Sequence, residues 1–128
     1  MIKKNAYFIL KKLDPCITMV SFSGITRNCN LSINGTLTIG NYVRIGPDVC
    51  IIDQDHGFHR NDLIMNQRAH IEYITIEDDL WIGRGATILK GVKLGEGSIV
   101  GANALVNKNI PPYEIWGGVP ARKIGERN

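Results

Sequence analysis

From Ile76 onward an aliphatic side chain recurs at every sixth position: Ile76, Ile82, Ile88, Leu94, Val100 and Val106. Two residues ahead of each stands a second apolar or small residue, in order Ile74, Leu80, Ala86, Val92, Ser98 and Ala104. The same spacing runs earlier through Ile33, Ile39, Ile45 and Ile51, preceded by Leu31, Leu37, Val43 and Val49. Side chains of extended backbone alternate faces, so both members of a pair point one way and the residue between them points the other. Each six-residue unit therefore offers two inward aliphatics and then a bend, with glycine available at Gly83, Gly95 and Gly101. One unit cannot bury its own apolar face, so stacked copies are obligatory. Three units close a coil of about eighteen residues, and coils stack by parallel pairing. The pattern predicts an all-β parallel repeat. Spacing does not fix its hand, and the general crossover rule favours the right.

The two runs cover residues 31–51 and 74–106. Residues 13–30 follow the rule loosely: Met19 and Ile25 fit the leading frame, but Ser21 and Arg27 occupy the other, which predicts a degenerate first coil. Between the runs lies IDQDHGFHRNDLIMNQRAHIEY, polar, irregular and too long for a turn. Insertions in repeat folds map to loops on one face, often the binding face. The expected organisation is one domain over residues 1–128. It comprises an N-terminal cap (1–19), first coils (20–52), an extruded active-site loop (53–73), a second run (74–110) and a C-terminal tail (111–128). Pro111-Pro112 should end the repeat, because proline cannot donate to the ladder, with the tail folding back over the end.

Composition narrows the function classes. The net charge is +3 and no basic–aromatic stripe occurs, which argues against nucleic acid. No stretch approaches the length of a membrane span, and the apolar patch at residues 6–10 is too short for a secretory leader. Cys16, Cys29 and Cys50 are odd in number and lack CxxC spacing, so neither a disulfide framework nor a zinc ribbon is indicated, and a reducing cytoplasm is expected. The three histidines, spaced H-x2-H and H-x10-H, match no common closed zinc site; no metal is expected.

The segment ITIEDDLWIGRGATILKGVKLGEGSIVGANALVNKNIPPYEIWGGVPARKI resembles the hexapeptide-repeat acyltransferases. Together with IIDQDHGF ahead of it, the likeness is closest to the sugar and polysaccharide O-acetyltransferases, the galactoside, maltose and lipopolysaccharide group, and spans residues 31–124. That resemblance implies a left-handed parallel β-helix, a homotrimer with active sites between subunits, and acetyl coenzyme A as cosubstrate. It matches His56 to the family's catalytic histidine. A sugar hydroxyl is a poor nucleophile near neutrality, and imidazole titrates in the right range to take its proton, worth about 10²–10⁴ in rate. A carboxylate on the other ring nitrogen would fix the tautomer; Asp53 and Asp55 are both near in sequence, with Asp53 preferred. A plain loop histidine is the alternative.

The resemblance also sends Trp81, at an outward position, to the cofactor tunnel, although simple interface packing explains an outward aromatic as well. Gly83, Gly101 and Ala102 would let the pantetheine arm approach backbone, and Asn107, Lys108, Arg122 and Lys123 are candidates for the phosphates. Asn107-Lys108-Asn109 departs from the usual Thr-Lys-Asp, and Arg84 replaces a commonly small residue, so Arg84 either narrows the tunnel or binds phosphate. Asn28, Asn30, Asn34 and His59 are candidate acceptor contacts, and His70 is a loop residue or a further contact. No nucleophile motif is present, so direct transfer without an acyl-enzyme is expected. Three other readings stay open: N-acylation of an amino sugar, a structural β-helix without activity, and a metal-dependent hydratase.

Overall fold

The computed structural model describes residues 7–10, 16–19 and 23–128. Apart from one 3-10 turn at Ile64–Asn66, its regular elements are strands. The chain visits three sheets in rotation, leaving one strand in each. The first circuit lays down β1 (Tyr7–Leu10), β2 (Cys16–Met19) and β3 (Gly24–Ile25). β4 (Asn30–Ile33), β5 (Thr36–Ile39) and β6 (Arg44–Ile45) make the second. The third opens with β7 (Cys50–Ile52) and leaves the sheets for an antiparallel pair, β8 (Gln54–Asp55) with β9 (His70–Ile71). It resumes at β10 (Ile74–Ile76) and β11 (Trp81–Ile82). A fourth follows with β12 (Thr87–Ile88), β13 (Lys93–Leu94) and β14 (Ile99–Val100), then β15 (Leu105–Val106), a bridge from Ile110 to Leu94, and β16 (Glu114–Gly117). Pairing within the three sheets is parallel until β17 (Arg122–Glu126) turns back antiparallel on β16 and occupies that edge.

The two aliphatics of each unit all point inward. Leu31, Ile51, Ile88 and Val106 lie in one column by strand register, and Ile25, Ile45, Ile82 and Val100 in another; each is at most 1% exposed. A third column holds Ile39, Ile76 and Leu94. Burying one such side chain is worth roughly 1.5–3 kcal/mol, so the columns are where the fold draws its stability. Three polar side chains share this interior, Ser23, Ser98 and Asp53. Ser23 is satisfied, donating to the Gly40 carbonyl at 2.6 Å and accepting from the Val43 amide at 3.0 Å. Ser98 is fully buried with no partner for its hydroxyl among the described residues.

Register corrects the sequence reading in the upper circuits. Lower rungs repeat at eighteen residues, with Trp81 opposite Ile99, Thr87 opposite Leu105 and Thr75 opposite Lys93. Upper rungs repeat at twenty, with Gly24 opposite Arg44, Asn30 opposite Cys50 and Cys16 opposite Thr36. Leu31 therefore stacks on Ile51, not on Val49, and Ile25 and Met19 hold the second position of their pairs, not the first. In that shifted frame Ser23, Ile25, Cys29 and Leu31 are all buried, so the stretch that looked degenerate is regular from Ser23 on. The expected N-terminal cap contains β1 and β2, which pair in register with β4 and β5. The rest of that cap, and Ser21, lie outside the described residues. Pro111-Pro112 does not end the ladder either. The prolines fall at a corner, where no ladder N–H is needed, and β16 continues the parallel register, Ile99 opposite Ile115. Among the described residues no helix is long and apolar enough to cross a membrane.

Candidate active site

The excursion between β7 and β10 is a folded loop with its own polar framework. Asp53 continues the inward alternation from Ile51 and is completely buried. Its carboxylate accepts the Asn34 amide at 2.9 Å and the Gly35 amide at 2.7 Å. Its carbonyl accepts the Glu72 amide at 2.9 Å, so one residue ties both ends of the loop to the preceding corner. Above it, Asp55 pairs with His70 across the short ladder, and Lys90 from the next circuit reaches Asp55 at 3.3 Å and Glu72 at 3.8 Å. His70 bonds Glu72 at 3.0 Å. At Gly91 the backbone has φ 73° and Glu72 closes over it, so a side chain there would collide with the carboxylate as well as strain the turn.

Further out, Gln67 organises the tip. Its amide accepts from the His59 N–H (2.8 Å) and donates to the His59 and Asp62 carbonyls (2.9 and 3.0 Å). Asp62 accepts from the Leu63 N–H and the Asn66 side-chain amide, at 2.7 and 3.0 Å. The Gly57 N–H donates to the Arg68 carbonyl at 3.0 Å, closing the loop directly after His56. These bonds frame a cavity of about 750 Å³ whose walls include His56, His59, Arg68, His70 and Lys90. His56 is exposed in it, as the alternation predicts for an outward position, and its ring has no hydrogen-bond partner among the described residues.

Two sequence expectations change here. Asp53 does not orient His56: inward alternation buries it, and two backbone amides occupy its oxygens. Asp55 sits beside His56 in the cavity wall but gives its charge to Lys90. Of the acceptor candidates, His59 lines the cavity, whereas Asn28, Asn30 and Asn34 do not. Asn28 holds a left-handed corner at φ 58°, and the side-chain oxygens of Asn30 and Asn34 are buried without partners. Lys90, Gln67 and Arg68 were not singled out from the sequence. Lys90 sits at a corner two residues after the buried Ile88, and its partners Asp55 and Glu72 come from the loop.

The cofactor candidates lie elsewhere on the protomer. Trp81 is 57% exposed on the outer face of its sheet, beside a hollow of about 630 Å³ shared with Tyr42, Arg44 and Arg127. Gly83 faces the backbone of Ala102 in the next rung, so its missing side chain serves rung-to-rung packing. Gly101 donates to the Trp116 carbonyl at 2.7 Å. Arg84 pairs with Asp48 at 3.1 Å, and Lys123 with Glu126 and Glu114. Asn107 and Lys108 are exposed, and Lys108 and Arg122 make no ion pair among the described residues. Burial pushes the thiols of Cys29 and Cys50 above their ordinary range, which keeps them protonated and inert as nucleophiles near neutrality. No group of three His, Cys, Asp or Glu side chains suited to a metal occurs among the described residues.

Comparison with known proteins places this arrangement. Residues 73–108 match the bacterial transferase hexapeptide family, six repeats. A galactoside O-acetyltransferase of Escherichia coli is 40% identical over 103 residues, covering 79% of this chain and 50% of that protein. A hexapeptide-repeat acetyltransferase of Vibrio cholerae, solved with acetyl coenzyme A, superposes with a TM-score of 0.84 at 28% identity, covering all of this chain and 71% of the other. A galactoside acetyltransferase solved with coenzyme A gives 0.77 at 31% identity, covering 99% and 64%. The chain spans about half the length of the relatives it matches by sequence.

Proposed function

Because this chain belongs to the hexapeptide-repeat transferase family, we propose that it is an acetyl-coenzyme-A-dependent acetyltransferase acting on a hydroxyl of a sugar or polysaccharide precursor. The observation that carries the reading is His56, an exposed imidazole whose ring nitrogens have no partner among the described residues, on the wall of a large cavity built by the loop that interrupts the repeat after β7. In this reading the winding is that of a left-handed β-helix, and three copies form the working unit in the cytoplasm.

Acetyl coenzyme A supplies a thioester activated for attack. His56 takes the proton from the acceptor hydroxyl as its oxygen bonds to the acetyl carbon, and returns that proton to the departing sulfur, so one group serves both halves of the transfer. The residues present suit such a cosubstrate: Trp81 offers an exposed aromatic face, and Lys108 and Arg122 keep cationic charge unspent for phosphate. Arg84 and Lys123 are less available, each already paired with carboxylates. Trp81 and His56 line separate hollows of the protomer. A neighbouring copy is what brings the two kinds of site together, and it also covers Phe58, Leu63, Ile64 and Met65, which a lone protomer exposes.

The test is thiol release from acetyl coenzyme A with a panel of glycosides. His56→Ala should keep its oligomeric state by sedimentation and lose about 10²–10⁴-fold in rate. Full activity in that variant would remove His56 from the chemistry.

A further inference from the structure

Charge around the cavity is unevenly spent. Seven ionisable side chains line it: Asp55, His56, His59, Asp62, Arg68, His70 and Lys90. Asp55 is ion-paired with Lys90, and one oxygen of Asp62 accepts from the Leu63 N–H and the Asn66 side-chain amide. Lys90 is further drawn to Glu72, which also holds His70. Arg68 is different. Its carbonyl is fixed by the Gly57 amide, which places its backbone across the loop from His56, yet its guanidinium makes no hydrogen bond or ion pair among the described residues. What the wall leaves over is one permanently charged fork of donors on the wall that also carries the proposed base, and no carboxylate is ion-paired with it among the described residues.

Resting on the His56 reading, we infer that Arg68 is the specificity residue of the acceptor site and that the acceptor is a saccharide bearing an anionic group, a carboxylate or a phosphate. A guanidinium pairs with either in a bidentate geometry that a neutral glycoside cannot supply. Held there, the anion would set the sugar so that one hydroxyl meets His56, and the neutral sugar would bind without that registration.

Binding tests this independently of catalysis. Galactose 1-phosphate, galacturonate and methyl galactoside are titrated calorimetrically into the full-length protein, and into Arg68→Ala and Arg68→Lys, at low and high salt. The wild type should bind at least one anionic sugar about tenfold or more tightly than the methyl glycoside. Added salt should shrink that preference. The alanine variant should bind all three sugars alike, and lysine should restore part of the preference. Which anionic sugar wins distinguishes phosphate from carboxylate. Equal binding of charged and neutral sugars by the wild type would overturn the inference even if acetyl transfer occurs. In turnover, Arg68→Ala should raise KM for the anionic sugar and leave KM for acetyl coenzyme A unchanged. A rise only in the latter would assign Arg68 to the cosubstrate and overturn the acceptor role. Absence of acetyl transfer to any sugar would defeat the enzymatic reading while leaving the binding result to judge Arg68.

Discussion

The lower circuits and the loop they interrupt are held together by opposite means. In the run from β10 to β15 every inward side chain is buried, stacked by register on its counterpart one circuit away. In residues 53–73 almost nothing is buried: Asp53 alone is fully enclosed, and order comes from individual bonds made by Asp53, Asp62, Gln67 and Lys90. A repeat can lose precision at one rung and be corrected by the next. A loop of this kind has no neighbour of its own type, so each anchor acts once. The proposed chemistry sits on the part whose geometry depends on few contacts, which is also the part free to vary without disturbing the stack.

Truncating one interior and one exposed apolar side chain gives the sharpest contrast. Ile82 lies between Ile45 and Val100 and is fully buried, so Ile82→Ala should cost about 2–5 kcal/mol in urea unfolding. Met65 at the loop tip is 83% exposed, and Met65→Ala should change stability by less than about 0.5 kcal/mol in a dissociated protomer. A larger effect of Met65→Ala at high protein concentration, vanishing on dilution, would mean that a second copy covers the tip.

Asp53 tests the loop's dependence on single anchors. Replacing it with alanine leaves the Asn34 and Gly35 amides without their acceptor in a buried setting, at a cost of about 2–3 kcal/mol. Asparagine keeps one acceptor and should cost less. If Asp53 instead served the imidazole, Asp53→Asn would lower kcat with no change in stability, so unfolding and turnover measured on the same variant separate the two roles.

The same contrast explains what could be read from the sequence. Ile74 to Val106 was legible because each inward choice is repeated, and a repeated signal survives one exception such as Ser98. The upper circuits were legible in their burial but not in their register. Two additional residues preserve the alternation, so Leu31 still points inward while stacking on Ile51. The loop's existence followed from the broken period, and His56 from the family resemblance of IIDQDHGF. Its anchors did not follow. Asp53 looked like a partner for His56 because the two are close in sequence, whereas alternation turns it towards Asn34, nineteen residues earlier. Lys90 and Arg68 matter only through neighbours that the fold supplies.

On the outer face of the stack, polar contacts should matter least. Glu77 follows β10 directly, one residue from the buried Ile76, and reaches Lys93 of the next circuit at 2.9 Å while accepting the Glu96 amide at 3.0 Å. The bond to Lys93 chiefly, and then the Glu96 amide, hold its carboxyl below the ordinary glutamate value of 4.5. Its folded state thus binds a proton less readily than its unfolded state. The resulting stabilisation is complete above 4.5 and disappears as pH falls through the lowered folded value. Because the pair is partly solvated, Glu77→Gln should cost less than about 1 kcal/mol near neutrality. Urea midpoints of the two proteins should converge as pH falls below 4.5 and through the lowered folded value. Glutamine keeps an oxygen for the Glu96 amide, so convergence would assign the effect to the charge. A deficit unchanged in acid would assign it to the shape of that corner, and the outer face would then be contributing through packing, as the interior does.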